Sequence, residues 1–401
     1  MNEACAVIRT PNTHATTVWY ILLASAFIHV PITLPEHNII VQLAAFDLAL
    51  PLIILFGFNA KWLVLPPRRI LLISLGIVTA ILLHSVTAYL LIHPILELTL
   101  LKEALKLTVI FVNFVLLIVL FGNEALRQPP SIAAQCLLIL FIPIVLLSSH
   151  YEPIFITRTV YAVSLSGLVF LLAMNSSWRH EFWSRANLLF TCLAVTVTAI
   201  MVYNKGAAGL MIAAIAWIAL EGRFATFSAA RICLLSVLAV GAIVGGVILT
   251  AYLGESIGFL ERMDSIERSI FIRLTLWNLA LERFLETFPF GLGLGQFSLA
   301  AKTVPQLAAE GHKFVHNSLL GLMVELGALG LLLGGGMFTL VLYAARGLPK
   351  FVTPLYLILV LPPLLIHDGH SIRMLSIITA LGLARFLYRR GSAQEEQPAS
   401  E

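Results

Sequence analysis

Charge is scarce in this sequence. Of 401 residues only 11% are Asp, Glu, Lys or Arg, while 59% are hydrophobic. A soluble globular domain carries about a quarter charged residues. Together with a mean hydropathy of +0.96, the shortage excludes an ordinary soluble fold and makes lipid the solvent for most of the chain. The formal net charge is only +4, and the basic residues are scattered among apolar runs. No basic stripe for a nucleic acid exists, so none is expected as a partner. Cysteine is sparse too: Cys5, Cys136, Cys192 and Cys233 show no metal or redox spacing and read as small core residues. There is no internal repeat, and no D-x-D metal pattern in the segments between apolar runs. Nor does any glycine run end in GK[ST], which argues against a nucleotide site. The leader before the first apolar run has one basic residue, Arg9. That run therefore reads as a first span rather than a cleaved signal.

What the chain has in abundance is apolar runs near the length of about 20 residues needed to span a bilayer. Twelve candidates stand at 18–33, 39–58, 70–92, 104–121, 132–148, 154–174, 187–203, 207–220, 232–252, 317–345, 352–366 and 372–388. The 317–345 run is long and holds Gly327, Gly330 and Gly334 to Gly336, which suggests a broken or tilted helix. The fold expected is an all-α polytopic membrane protein. With the N-terminus cytoplasmic and the spans alternating, the cytoplasmic segments hold 14 Lys and Arg and the short outer ones hold 5. This asymmetry puts both termini in the cytoplasm. Four regions follow: 1–252, a bundle of about nine helices; 253–316, a long outer loop; 317–390, the last helices; and 391–401, a polar disordered tail. Within the loop, 268–287 has Ile270, Leu274, Trp277 and Leu281 at helical spacing, an amphipathic helix for the membrane interface.

Chemistry-bearing residues gather on the outer side of this topology. They are Lys205 after the seventh span, Arg273 in the loop, His316 at the entry to the tenth span, Arg158 near the start of the sixth, and the cluster His367, Asp368, His370 and Arg373. Cations set at headgroup depth suit an anionic lipid-linked substrate. Each has a plainer reading. Lys205 can snorkel at a span end, Arg273 can be a solvated helix residue, and Asn317 is a good helix cap beside a structural His316. The run Gly291-x-Gly293-x-Gly295 reads better as a tight turn after Pro289 than as a phosphate loop. Asp47, His29 and His84 read as satisfied residues inside the bundle. Asp368 either orients a neighbouring histidine or pairs with Arg373.

The order Arg273-x-x-x-Trp277, Pro289-x-Gly291-x-Gly293-x-Gly295-x-Phe297, His316-Asn317, Glu325-x-Gly327-x-x-Gly330 resembles the signature region of the O-antigen ligase and O-antigen polymerase superfamily. The likeness covers residues 268–332. It is strongest toward the lipid A–core:surface polymer ligases, whose layout of about twelve spans and one large periplasmic loop is similar. The resemblance implies a GT-C-like, metal-independent membrane glycosyltransferase of the bacterial inner membrane, without a cofactor, its active site periplasmic. The donor would be a glycan on undecaprenyl diphosphate and the acceptor a sugar hydroxyl of lipid A–core, both reached from the surrounding membrane lipid. His316 would act on the acceptor hydroxyl, and Arg273 and Lys205 would hold the diphosphate. Asn317, Trp277, Asp368, His370 and Arg373 would support them. Lys205 stands where many relatives carry arginine, so it keeps the charge but loses the bidentate fork. Two rival readings stay open: a polymerase joining lipid-linked repeat units, and, from another class, a secondary transporter. The transporter reading is weakened by the missing repeat and by polar residues that cluster at the outer edge.

Overall fold

The structure is a computed structural model that describes residues 13–34, 39–59, 63, 68–92, 98–148, 158–201, 205–220, 260–309, 314–366 and 372–395. Helices dominate. In chain order they are α1 (Thr13–Ser25), α2 (Ala45–Asn59), α3 (Arg68–Ile92), α4 (Leu98–Leu120), α5 (Ser131–Ser148), α6 (Arg158–Ala173), α7 (Phe182–Met201) and α8 (Lys205–Leu220). There follow α9 (Leu260–Thr287), α10 (Phe297–Lys302), α11 (Pro305–Ala309), α12 (Ser318–Gly347), α13 (Thr353–Ile366) and α14 (Arg373–Glu395). Among the described residues, three helical stretches are long and apolar enough to cross a membrane: Lys102–Leu120, Phe182–Met201 and Ser318–Gly347. Six shorter apolar helices accompany them. This is the composition of a membrane-associated helical protein. The candidate ninth span, 232–252, lies outside the described residues, as does the start of the outer loop before Leu260.

The expected helical architecture holds, with one local exception. Strands β1 (His29–Leu34) and β2 (Ile39–Ala44) form an antiparallel pair, with His29 opposite Ala44 and Leu34 opposite Ile39. The first two predicted spans, 18–33 and 39–58, each give up about a third of their length to it. The local sequence explains this: Val30, Ile32, Thr33, Ile39, Ile40 and Val41 are β-branched and favour strands, and Pro31 and Pro35 oppose continuation of α1. A second difference is at the C-terminus. The helix α14 runs on to Glu395, past the boundary expected at 390. The added residues are Gly391, Ser392, Ala393, Gln394 and Glu395. The last three are good helix formers and continue the helix readily.

The bundle has one large core running through α1, α2, α4 to α8 and α12 to α14, with Trp19, Phe27, Phe121, Phe170 and Tyr356 among its fully buried side chains. Side-chain-to-backbone bonds tie the connections together at its two ends. At one end Trp19 Nε1 donates to Leu126 O, Arg127 to the Phe121 and Gly122 carbonyls, Arg185 to those of Ile218 and Ala219, and Trp217 Nε1 to Phe351 O. The arginines thus satisfy the orphan carbonyls that every helix C-terminus leaves. At the other end Tyr161 Oη donates to Phe27 O. Where α12 crosses α14, an added Cβ on Gly382 would stand 2.7 Å from Ala344 O. Only a small residue permits that approach.

Asp47, read from sequence as a satisfied bundle residue, is so. Its two carboxylate oxygens accept from Arg373 Nε and Nη2 at 2.8 Å each, and Asn113 Nδ2 donates to Oδ1 at 2.8 Å. All three side chains are buried. The triad joins α2, α4 and α14. Removal of one partner from such a buried pair leaves an uncompensated charge and costs about 3–5 kcal/mol.

Candidate functional site

The helix α9 builds the floor of the site. Ile272, Leu276, Leu279, Ala280 and Phe284 recur at helical spacing and are buried. They pack with Phe297 and Ala301 of α10, Leu307 of α11, Val315, and Val324 of α12 into a small second core separate from the main one. This corrects the interface stripe expected from sequence. Leu274 and Leu281 are about half exposed, but Trp277 turns inward, and the outward apolar stripe runs instead through Phe271, Leu274, Leu281 and Leu285. The sequence pattern is apolar on both stripes, so periodicity alone did not tell the core face from the outer one.

Trp277 uses its polar edge. The indole Nε1 donates to Val315 O at 3.1 Å, the behaviour expected of a tryptophan that is partly buried. Val315 immediately precedes His316. On the other side Asn317 caps α12: its Oδ1 accepts from the Leu319 and Leu320 amides at 3.0 Å each. His316 is therefore held between two anchored residues. Its φ is +55°, and it is the only non-glycine with positive φ among the described residues. An L-residue in this left-handed region is strained by about 1 kcal/mol or more, and such strain concentrates at functional sites.

Arg273 lies one helical turn before Trp277 on the same side of α9, the i, i+4 relation that makes side chains neighbours. It is half-buried, and burial draws its guanidinium pKa below the usual arginine range. Among the described residues no hydrogen bond or ion pair engages it. An arginine that has lost part of its hydration without gaining an acceptor is a ready anion seat.

The Pro289 to Gly295 segment proves to be a folded turn, locked to a break in α12. Gly327 has φ +58° and ψ −129°, which divides α12 into two helical pieces. Leu292 N donates to Val324 O at 2.8 Å, Gly293 N to Glu325 O at 2.9 Å, and Ala328 N to Pro289 O at 2.8 Å. The two glycine motifs are thus the two sides of one backbone junction. A Cβ on Gly291 would stand 2.5 Å from Gly327 N, and a Cβ on Gly327 would collide with Pro289 O. The amides of Leu292 and Gly293 are committed to this junction, which accords with a turn rather than a phosphate loop.

Trp277, His316 and Asn317 are thus brought into one neighbourhood, with Arg273 one turn of α9 from Trp277. Lys205 is the first residue of α8. Arg373 pairs with Asp47 inside the bundle. Asp368 and His370 lie outside the described residues. Among those described, no three His, Cys, Asp or Glu side chains gather to hold a metal ion. Two contributors went unread in the sequence: Asn113, a lone amide in an apolar run, and the backbone of Glu325. The first carries the usual signal of a costly polar group inside a span. The second has none, because its part is played by a carbonyl. Comparison with known proteins gives no match, neither to a family model nor to a curated relative.

Proposed function

We propose that this chain is a membrane glycosyltransferase that moves a glycan from undecaprenyl diphosphate to a sugar hydroxyl of lipid A–core at the periplasmic face of a bacterial inner membrane. The observation that carries the reading is His316 in a left-handed conformation, flanked by the anchors Trp277 and Asn317, with a half-buried Arg273 that has no partner among the described residues one helical turn from Trp277. The resemblance of 268–332 to the ligase and polymerase superfamily supports it from the sequence side. In the reaction an acceptor hydroxyl attacks the anomeric carbon, and a neutral His316 imidazole takes its proton. The bond from that carbon to the diphosphate oxygen breaks, and undecaprenyl diphosphate leaves with the electron pair. Arg273 stabilises the charge that develops on it, with Lys205 as the second cation. A single displacement inverts the anomeric centre. Asn317 and Trp277 hold the base in position.

The test is the surface-glycan profile of a deletion strain complemented with wild type, His316→Ala or Arg273→Ala. Wild type restores the long glycan on lipid A–core. Both variants reach the membrane yet leave bare core and accumulate glycan on undecaprenyl diphosphate. Core capped by a single repeat unit in the deletion strain would assign a polymerase instead. An unchanged profile with no other surface glycan altered would remove the glycosyltransferase reading.

A further inference from the structure

The glycine turn is gripped from a second side. His84 stands in a mostly apolar stretch of α3, and its Nε2 is 2.8 Å from Phe290 O. A carbonyl only accepts, so Nε2 carries the hydrogen. Leu294 of the same turn packs with Ala104 and Leu107 of α4 and with Leu322 and Leu326 of α12. Gly291, Gly293 and Leu294 of the turn are buried against these helices, where backbone polar groups need partners from the protein, while Phe288 and Phe290 stay exposed. The α12 break bonds Pro289 O and the amides of Leu292 and Gly293, and His84 supplies the donor for Phe290 O between them.

We propose that His84 is a positioning residue for the candidate site, acting through the glycine turn. The path is continuous and made of bonds. His84 fixes Phe290 O, and the next residues, Leu292 and Gly293, bond the carbonyls of Val324 and Glu325. Those carbonyls end the short helical piece 318–326, whose other end is capped by Asn317 beside His316. One histidine of α3 thus sets the seat of the short helix that carries the site. The consequence for catalysis rests on the function proposed above, whereas the mechanical part does not.

The experiment therefore reads both. In wild-type, His84→Phe and His84→Gln proteins, hydrogen exchange is followed at 288–295 and 318–328, with α6 residues 161–173 as an internal reference. The phenylalanine keeps the bulk and removes the donor, and the glutamine restores an N–H donor of similar reach. The expected result is about tenfold faster exchange at both segments in His84→Phe, unchanged exchange in α6, and recovery in His84→Gln. Unchanged exchange at 288–295 in His84→Phe overturns the proposal. Nitrogen NMR of the wild-type histidines gives a check that needs no variant to fold: a neutral His84 with its hydrogen on Nδ1 overturns it as well. Where wild type transfers glycan, His84→Phe lowers kcat about tenfold with little change in acceptor KM, and an unchanged kcat removes the positioning role. Where wild type transfers none, the proposed function falls while the exchange result still decides the role of His84 in the turn.

Discussion

At the scale of the residue, His316 couples conformation to chemistry. Its φ of +55° is held by neighbours on both sides: the Trp277 indole on the Val315 carbonyl, and the Asn317 cap on α12. A residue kept in such a conformation for function rather than stability gives opposite responses in the two. Glycine enters the left-handed region without the Cβ penalty. His316→Gly should therefore keep the melting temperature within a few degrees of wild type, or raise it, while glycan transfer is lost. A melting temperature in detergent that falls as far as that of a buried-core variant such as Phe297→Ala would mean that the His316 side chain is a packing element, and the catalytic role would lose its support. The identity of His316 and Asn317 as a candidate pair was legible in the sequence, since a histidine beside a good cap at the start of an apolar run is a local pattern. The strain was not legible, because the contact beside this position comes from Trp277, 39 residues earlier in the chain.

At the scale of the element, the glycine turn and the broken helix α12 make one joint. A break was readable from the glycine content of 317–345, but its place was not, since five glycines singled out in that run compete for it. Gly327 is the one at which backbone from Pro289 must approach, and its φ and ψ lie outside the wells of other residues. Gly335 and Gly336, by contrast, have open space where a Cβ would go. Gly327→Ala should thus cost more than about 2 kcal/mol, from a collision with Pro289 O and a forbidden backbone. Gly335→Ala should be neutral, or stabilising by up to about 1 kcal/mol through better helix propensity. Thermal unfolding of the two variants in the same detergent compares them directly, and equal effects would contradict the joint. The outward stripe of α9 was misread for a related reason. A helix with apolar residues on two faces offers two solutions, and only packing against Val315 and Val324 selects one.

At the scale of the whole molecule, long-range contacts between helices decide what the sequence could show. The apolar runs were legible because lipid demands them, whereas the strand pair of 29–34 with 39–44 was not, because a β-branched apolar run reads equally as a short span. The tie of α2 to α14 through Asp47 and Arg373 joins positions 326 residues apart, and no local pattern in the sequence pairs them. The contacts between connections sort into two groups. Residues 126–127, 217–219 and 351 belong to segments at one end of the bundle, and Phe27 and Tyr161 meet at the other. The alternation expected from charge makes a definite prediction about sidedness. In a background with Cys5, Cys136, Cys192 and Cys233 replaced by serine, a single cysteine is introduced as Trp183→Cys, exposed at the start of α7, or as Glu282→Cys, exposed on α9. An impermeant maleimide added to intact cells with a permeabilised outer membrane should label position 282 and leave position 183 unmodified. Inverted inner-membrane vesicles should give the reverse. Labelling of both positions from one side would overturn the alternation, and labelling of position 282 only in inverted vesicles would leave a periplasmic glycosyl transfer with no site to perform it.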